Sequence, residues 1–191
     1  MHPRRHVPLV PQLLLALACL SPPAMASAHG FTLLGPVAMA GDRLPQAQVA
    51  DAFGCHGGNR SPALRWLRVP PGARSFAVTA FDMDAPTGSG WWHWIAYDLP
   101  AGTTRLPAGA GAADGAGLPA GARQARNDFG APGYGGACPP AGDAPHRYVF
   151  TVHALDVDAL EIPADATPAM VRFLIHRHAI AQASVTARYA R

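Results

Sequence analysis

Short blocks of apolar and β-branched residues, broken by glycine and proline, set the pattern of this chain. The run Ser75-Phe76-Ala77-Val78-Thr79-Ala80-Phe81 is β-branched and aromatic and predicts a central strand. Trp92 to Leu99 predicts a second strand, ended by Pro100. Arg147 to Leu155 predicts a third, with Tyr148, Phe150 and Val152 on one face and Val149, Thr151 and His153 on the other. Weaker strands are expected at Phe31 to Ala40, at Ala63 to Trp66 and at Ser184 to Tyr189. Helical spacing occurs convincingly once. Thr167 suits an N-cap, Pro168 suits the first turn, and Met170, Val171, Leu174 and Ile175 form a stripe that predicts a helix to about Ala183. Asp42 to Val49 reads as turn and Phe53 to Asn59 as loop. Ala101 to Ala125, rich in Gly and Ala without periodicity, is expected to be a long functional or mobile loop. Strands dominate, so the fold class is mainly β: a β-sandwich with Greek-key connections and one or two short peripheral helices.

The first residues add an address. Arg4 and Arg5 precede the apolar stretch Leu13 to Leu20, and small residues follow at Ala24-Met25-Ala26-Ser27-Ala28. A basic head, a short apolar middle and an A-x-A site predict a secretory signal over residues 1–28, cleaved after Ala26 or Ala28, and a mature domain over 29–191. Lipidation at Cys19 is the lesser alternative, because Ala16-Leu17-Ala18 puts alanine where such sites want leucine. The protein is therefore expected in the periplasm or secreted.

Charge narrows the partners. Asp, Glu, Lys and Arg make up only 14% of the chain, and losing Arg4 and Arg5 lowers the formal charge from +3 to +1. Such a balance excludes a basic stripe for nucleic acid. With Cys19 removed, Cys55 and Cys138 are an even pair in an oxidising compartment and are expected to form a disulfide; two buried free thiols are the alternative. The bridge would close a loop of about 80 residues, worth ~4 kcal/mol by chain entropy.

Two segments gather chemistry. Asp82-Met83-Asp84-Ala85-Pro86 is followed by Trp91-Trp92-His93-Trp94, where alternation places Trp92 and Trp94 on one face. Gly135-Gly136-Ala137-Cys138-Pro139-Pro140 is followed by Pro145-His146-Arg147-Tyr148. Glycine-rich backbone can turn amides toward an anion, and two histidines near a carboxylate can be held charged or in a fixed tautomer. Asp82 facing an anion would repel it, so its expected work is to orient a histidine, with Asp84 structural and Arg147 a salt-bridge partner to one of them. His153, His176 and His178 are read as structural, and His56 carries no assignment.

These segments resemble the signature regions of the phosphatidylethanolamine-binding proteins, also called Raf kinase inhibitor proteins. D-M-D-A-P at 82–86 with W-W-H-W at 91–94 is similar to the family's first region, and P-H-R-Y at 145–148 to its second. The similarity also takes in Phe53-Gly54-Cys55, Asn59-Arg60-Ser61-Pro62 and Asn127-Asp128-Phe129-Gly130, and is nearest to the bacterial branch. The resemblance implies a pocket open to solvent that takes a small anion, a phosphate ester or a phospholipid headgroup. It implies polar pocket roles for Asp82, His93, His146 and Tyr148, wall roles for Pro86 and Trp91, and a backbone amide at Cys138. Met83 departs from the family's usual proline, and the sequence stops soon after Tyr189, short of the C-terminal helix that covers the pocket in eukaryotic members.

No cofactor and no turnover are expected. The anticipated partners are that anion or headgroup, free or in transient contact with a membrane surface. A homodimer is admissible, a protein partner is unidentified, and no nucleic acid is expected. Three rivals stand beside this reading: a metal-dependent enzyme using the His/Asp cluster, a copper brace at an N-terminal His29, and hydrolysis through an exposed Ser61 or Ser89. None has the spacing that would support it.

Overall fold

A computed structural model describes residues 30–35 and 42–191. The expected leader, its cleavage points, Cys19, His29 and the 36–40 part of the first expected strand lie outside the described residues. The elements run β1 (Thr32–Leu34), β2 (Leu64–Leu67), β3 (Ser75–Asp82), β4 (Trp91–Pro100), β5 (Arg105–Leu106), β6 (Arg123–Gln124), β7 (His146–Leu155), α1 (Pro168–His178) and β8 (Ala179–Tyr189). They form two antiparallel sheets, β1-β2-β5 and β6-β4-β3-β7-β8. In the larger sheet β3, β4 and β6 are successive neighbours and β7 returns beside β3, the spatial order of a Greek key. The path from β4 to β6 detours through β5 in the other sheet.

The central strand β3 is covered on both faces, which is why it reads as an almost continuous apolar run rather than an alternation. Phe76, Val78, Trp94, Phe150 and Val152 meet Leu64 and Trp66 of the small sheet on one side. Ala77, Ile95, Tyr97 and Leu155 meet Val171 and Ile175 of α1 and Leu160 on the other. Each fully buried side chain of this size contributes about 1.5–3 kcal/mol.

Three expectations change. The helix ends at His178 rather than near Ala183, because the small residues from Ala179 onward pair with β7, Ala181 opposite Ala154 and Ala183 opposite Val152. Asp156 fastens that corner, its amide on the His178 carbonyl and its carboxylate 2.9 Å from His178 Nδ1. Trp92 and Trp94 part company: Trp94 opposes Ala80 while Trp92 opposes Phe81, a β-bulge that leaves His93 as the extra residue. Trp92 packs on the helix side, 4.3 Å from the Phe81 ring, and Trp94 enters the sandwich. The 101–125 stretch is not a free loop. It holds β5, β6 and a chain of tight turns, with Leu106 and Ala110 in the core and the Gly111 amide donating to Ser61 Oγ at 2.8 Å.

Candidate functional site

The end of β3 and the beginnings of β4 and β7 meet at one end of the large sheet, with Asp82 in register with both Trp91 and Tyr148. Around this end lies a cavity of about 440 Å³, and all seven expected residues line it: Asp82, Pro86, Trp91, His93, Cys138, His146 and Tyr148. The bulge in β4 is what lets His93 reach the cavity while its neighbour Trp94 stays in the core. Cys55 and Cys138 are joined, S–S 2.09 Å, tying the 53–59 loop to the cavity rim.

The floor is a buried ion pair. His146 Nδ1 lies 2.8 Å from Asp82 Oδ2, and its Nε2 lies 3.3 Å from Asp143 Oδ2. Burial disfavours the charged imidazole, but the hydrogen bond and charge of Asp82, joined by Asp143, prevail and raise the His146 pKa. Asp82 thus holds the histidine as expected, with its second oxygen accepting the Asp84 amide at 2.9 Å. Arg147 pairs with Asp84, not Asp82: its Nε and backbone N–H both donate to Oδ2 at 2.8 Å. The Arg147 hydrogen bonds lower the Asp84 pKa to about 2, overcoming a partial burial.

His93 is the opposite case. Its Nδ1–H donates to the Gly135 carbonyl at 2.7 Å, so the neutral ring keeps a lone pair on Nε2. Burial pulls its pKa down, against weaker upward pulls from Gly135 and Asp82. The ring stands edge-on to both Phe129 and Tyr148, centroids 5.2 and 5.3 Å away. The Tyr148 hydroxyl and the Trp91 indole N–H are buried without a hydrogen-bond partner among the described residues. Burial, and then the Asp82 charge, push the Tyr148 hydroxyl up, so it remains a donor.

Phe53, Asp128 and Phe129 line the cavity as well, and so do Ala85, Thr87, Pro139 and Pro140. Phe53 is 72% exposed and stacks on Phe129 at 5.9 Å across the mouth. Asp128 Oδ2 accepts the Trp92 amide at 2.7 Å, anchoring that loop to the start of β4. Single-residue reasoning passed over these side chains, although both the Phe53-Gly54-Cys55 and Asn127-Asp128-Phe129-Gly130 segments carried the family resemblance.

The glycine-rich amides are a correction. The Gly135 amide donates to the His93 carbonyl, Gly136 to Asn59 Oδ1 and Ala137 to the Gln48 carbonyl, leaving only Cys138 in that run without a protein acceptor among the described residues. These glycines serve close packing instead: a Cβ on Gly136 would sit 2.3 Å from Ala50 N, and one on Gly135 would sit 2.5 Å from the Phe129 ring. Ser61 is also corrected, since it is buried and its hydroxyl is used by Gly111. Among the described residues no group of three His, Cys, Asp or Glu side chains is arranged to hold a metal.

Comparison with known proteins identifies the family. A family model described as phosphatidylethanolamine-binding protein matches residues 35–190. UPF0098 protein YbcL of Escherichia coli strain K12 is 48% identical over 164 residues, covering 86% of this chain and 90% of that protein. UPF0098 protein YbhB of the same organism is 51% identical over 149 residues, 78% of this chain and 93% of its own. The crystal structure of Escherichia coli YbcL, titled as a new member of the mammalian PEBP family, superposes with a TM-score of 0.81 at 47% identity, covering 85% of this chain and 99% of that one. A Mycobacterium tuberculosis relative bearing a lipoprotein name, LppC, is 33% identical over 97% of this chain and 84% of its own length.

Proposed function

This chain belongs to the phosphatidylethanolamine-binding protein family, and we propose that it binds a small anion, a phosphate ester or a phospholipid headgroup outside the cytoplasm, without turning it over. The carrying observation is one cavity lined by a carboxylate-held His146, a neutral His93 and the rings of Tyr148 and Trp91, whose buried Oη and Nε1 donors have no hydrogen-bond partner among the described residues. The donors can serve an oxyanion, and the bare His93 Nε2 can accept from a ligand hydroxyl or ammonium. Both His146 nitrogens already face carboxylates, so it supplies charge more than a free hydrogen bond. Asp82 cancels much of that charge, so the affinity for a bare anion is modest and a headgroup that also donates binds better.

Binding without turnover is supported by the nucleophile inventory of the cavity. Cys138 is held in the disulfide, the Thr87 hydroxyl donates to the Gly90 carbonyl at 2.6 Å, and neither Ser61 nor Ser89 lines the wall. Titrating inorganic phosphate and glycerophosphoethanolamine by calorimetry tests the proposal. Saturable binding, tighter for the second ligand and weakened at least tenfold in Tyr148→Phe with His93→Gln, is the expected result. Equal heats in wild type and variant would overturn it.

A further inference from the structure

The small sheet carries a feature that the first cavity does not explain. Arg65 of β2 and Arg105 of β5 are directly opposite in register, and both are exposed on the outer face, since their neighbours Leu64 and Leu106 point into the core. Like charges placed directly across a ladder destabilise it. Neither guanidinium has a carboxylate within salt-bridge distance among the described residues. The remaining segments, 1–29 and 36–41, contain no Asp or Glu that could serve instead.

The pair stands in the wall between two clefts. One, of about 760 Å³, is lined by both arginines with Gly102, Thr103 and Thr104. The other, of about 690 Å³, is lined by the same arginines with Leu34, Ala63 and Pro107, a mostly apolar surface. Leu34 sits opposite Arg65 in the β1–β2 ladder, so the apolar and cationic positions form one cross-strand row. Neither cleft shares a residue with the first cavity.

We propose that Arg65 and Arg105 form a second anion site, which takes a phosphate ester between the two guanidiniums with its apolar tail along Leu34 and Pro107. Paired guanidiniums suit a tetrahedral oxyanion because each presents a planar fork of donors. The bound anion removes the repulsion that the ladder otherwise carries. The same chemistry is available from a free phosphate compound or from a lipid at a bilayer surface.

Two arms test the site. In the first, inorganic phosphate is titrated at constant ionic strength while the Arg65 and Arg105 Nε–H and the Thr103 and Thr104 amide resonances are followed. Saturable shifts that weaken at least fivefold in Arg65→Gln and in Arg105→Gln, but not in Arg177→Gln on the exposed end of α1, support the site. Linear shifts, or equal affinity in all three variants, overturn it for the free compound. In the second arm the proteins are floated with phosphatidylcholine vesicles containing phosphatidylglycerol. Co-flotation lost in the two ladder variants and retained in Arg177→Gln assigns the bilayer as source. Failure of both arms ends the proposal. The His93 and Tyr148 resonances serve as an internal reference, since a failure of the first-cavity reading leaves those unshifted while Thr103 and Thr104 still respond.

Discussion

Strand β7 carries a buried histidine for each face of the large sheet, and the two have opposite electrostatics. His146 opens the strand on the cavity side, beside Asp82 and Asp143. His153 lies under α1, where Thr79 Oγ1 is 3.3 Å from its Nε2 and its Nδ1 has no partner among the described residues. Burial, with Arg172 and His176 of α1 adding repulsion, drives His153 down to about 3. Burial works against the cation at both positions; the neighbouring carboxylates reverse the outcome only at His146. The lesson is that a buried histidine of this strand holds a proton only where the fold supplies its counter-charge.

The largest expected effect comes from removing that counter-charge. Asp82→Ala leaves His146 buried without its main partner and should cost about 3–5 kcal/mol, measured by urea unfolding at pH 6. An equal loss from a substitution at His153 would erase the distinction between the faces. Next is the covalent tie on the cavity side. Cys55→Ser with Cys138→Ser should cost about 4 kcal/mol and lower hydrogen-exchange protection at the rim while amides under α1 keep theirs. Uniform loss across the molecule would show that the tie stabilises both faces alike.

The pH profile sharpens the contrast further. A native His146 pKa above the unfolded value of about 6.5 means its stabilisation is complete below that value and is lost as pH rises through the native pKa. A native His153 pKa of about 3 acts in the other direction: the unfolded chain takes the proton first, so stability falls as pH drops from about 6.5 toward about 3. His153→Phe should flatten the acid limb and leave the alkaline limb as it was, by thermal melts across the range. The smallest effect is at Asp84. Its pair with Arg147 contributes above the ordinary carboxylate pKa of about 3.9 and is lost as pH falls through about 2. Asp84→Asn should therefore shift stability by a few tenths of a kcal/mol at neutral pH.

The same two faces explain what could be read in the sequence. β3, β4 and β7 were legible because burial on both sides selects unbroken runs of apolar and β-branched residues, and α1 because Thr167 and Pro168 mark its start. The seven cavity residues were legible through the resemblance, since they sit in the two signature segments. The end of α1 was not, because Ala179 to Ser184 is mostly small residues whose state is decided by pairing with β7. β5 and β6 have two residues each and exist only through partners distant in the chain. The contact of Asp143 with His146 and the Phe53–Phe129 stack depend on loop paths that no local pattern encodes. The amides of Gly135 and Gly136 were misjudged for the same reason: which acceptor an amide finds is a property of the folded neighbours.

Imidazole proton titration by NMR, in wild type and in Asp82→Asn, is the most direct probe of the contrast between the two histidines. The account requires a His146 midpoint above the ordinary value of about 6.5, falling by one unit or more in the variant, while His153 stays neutral until strongly acid pH in both proteins. A His146 midpoint at or below the ordinary value, or one indifferent to Asp82→Asn, would contradict it.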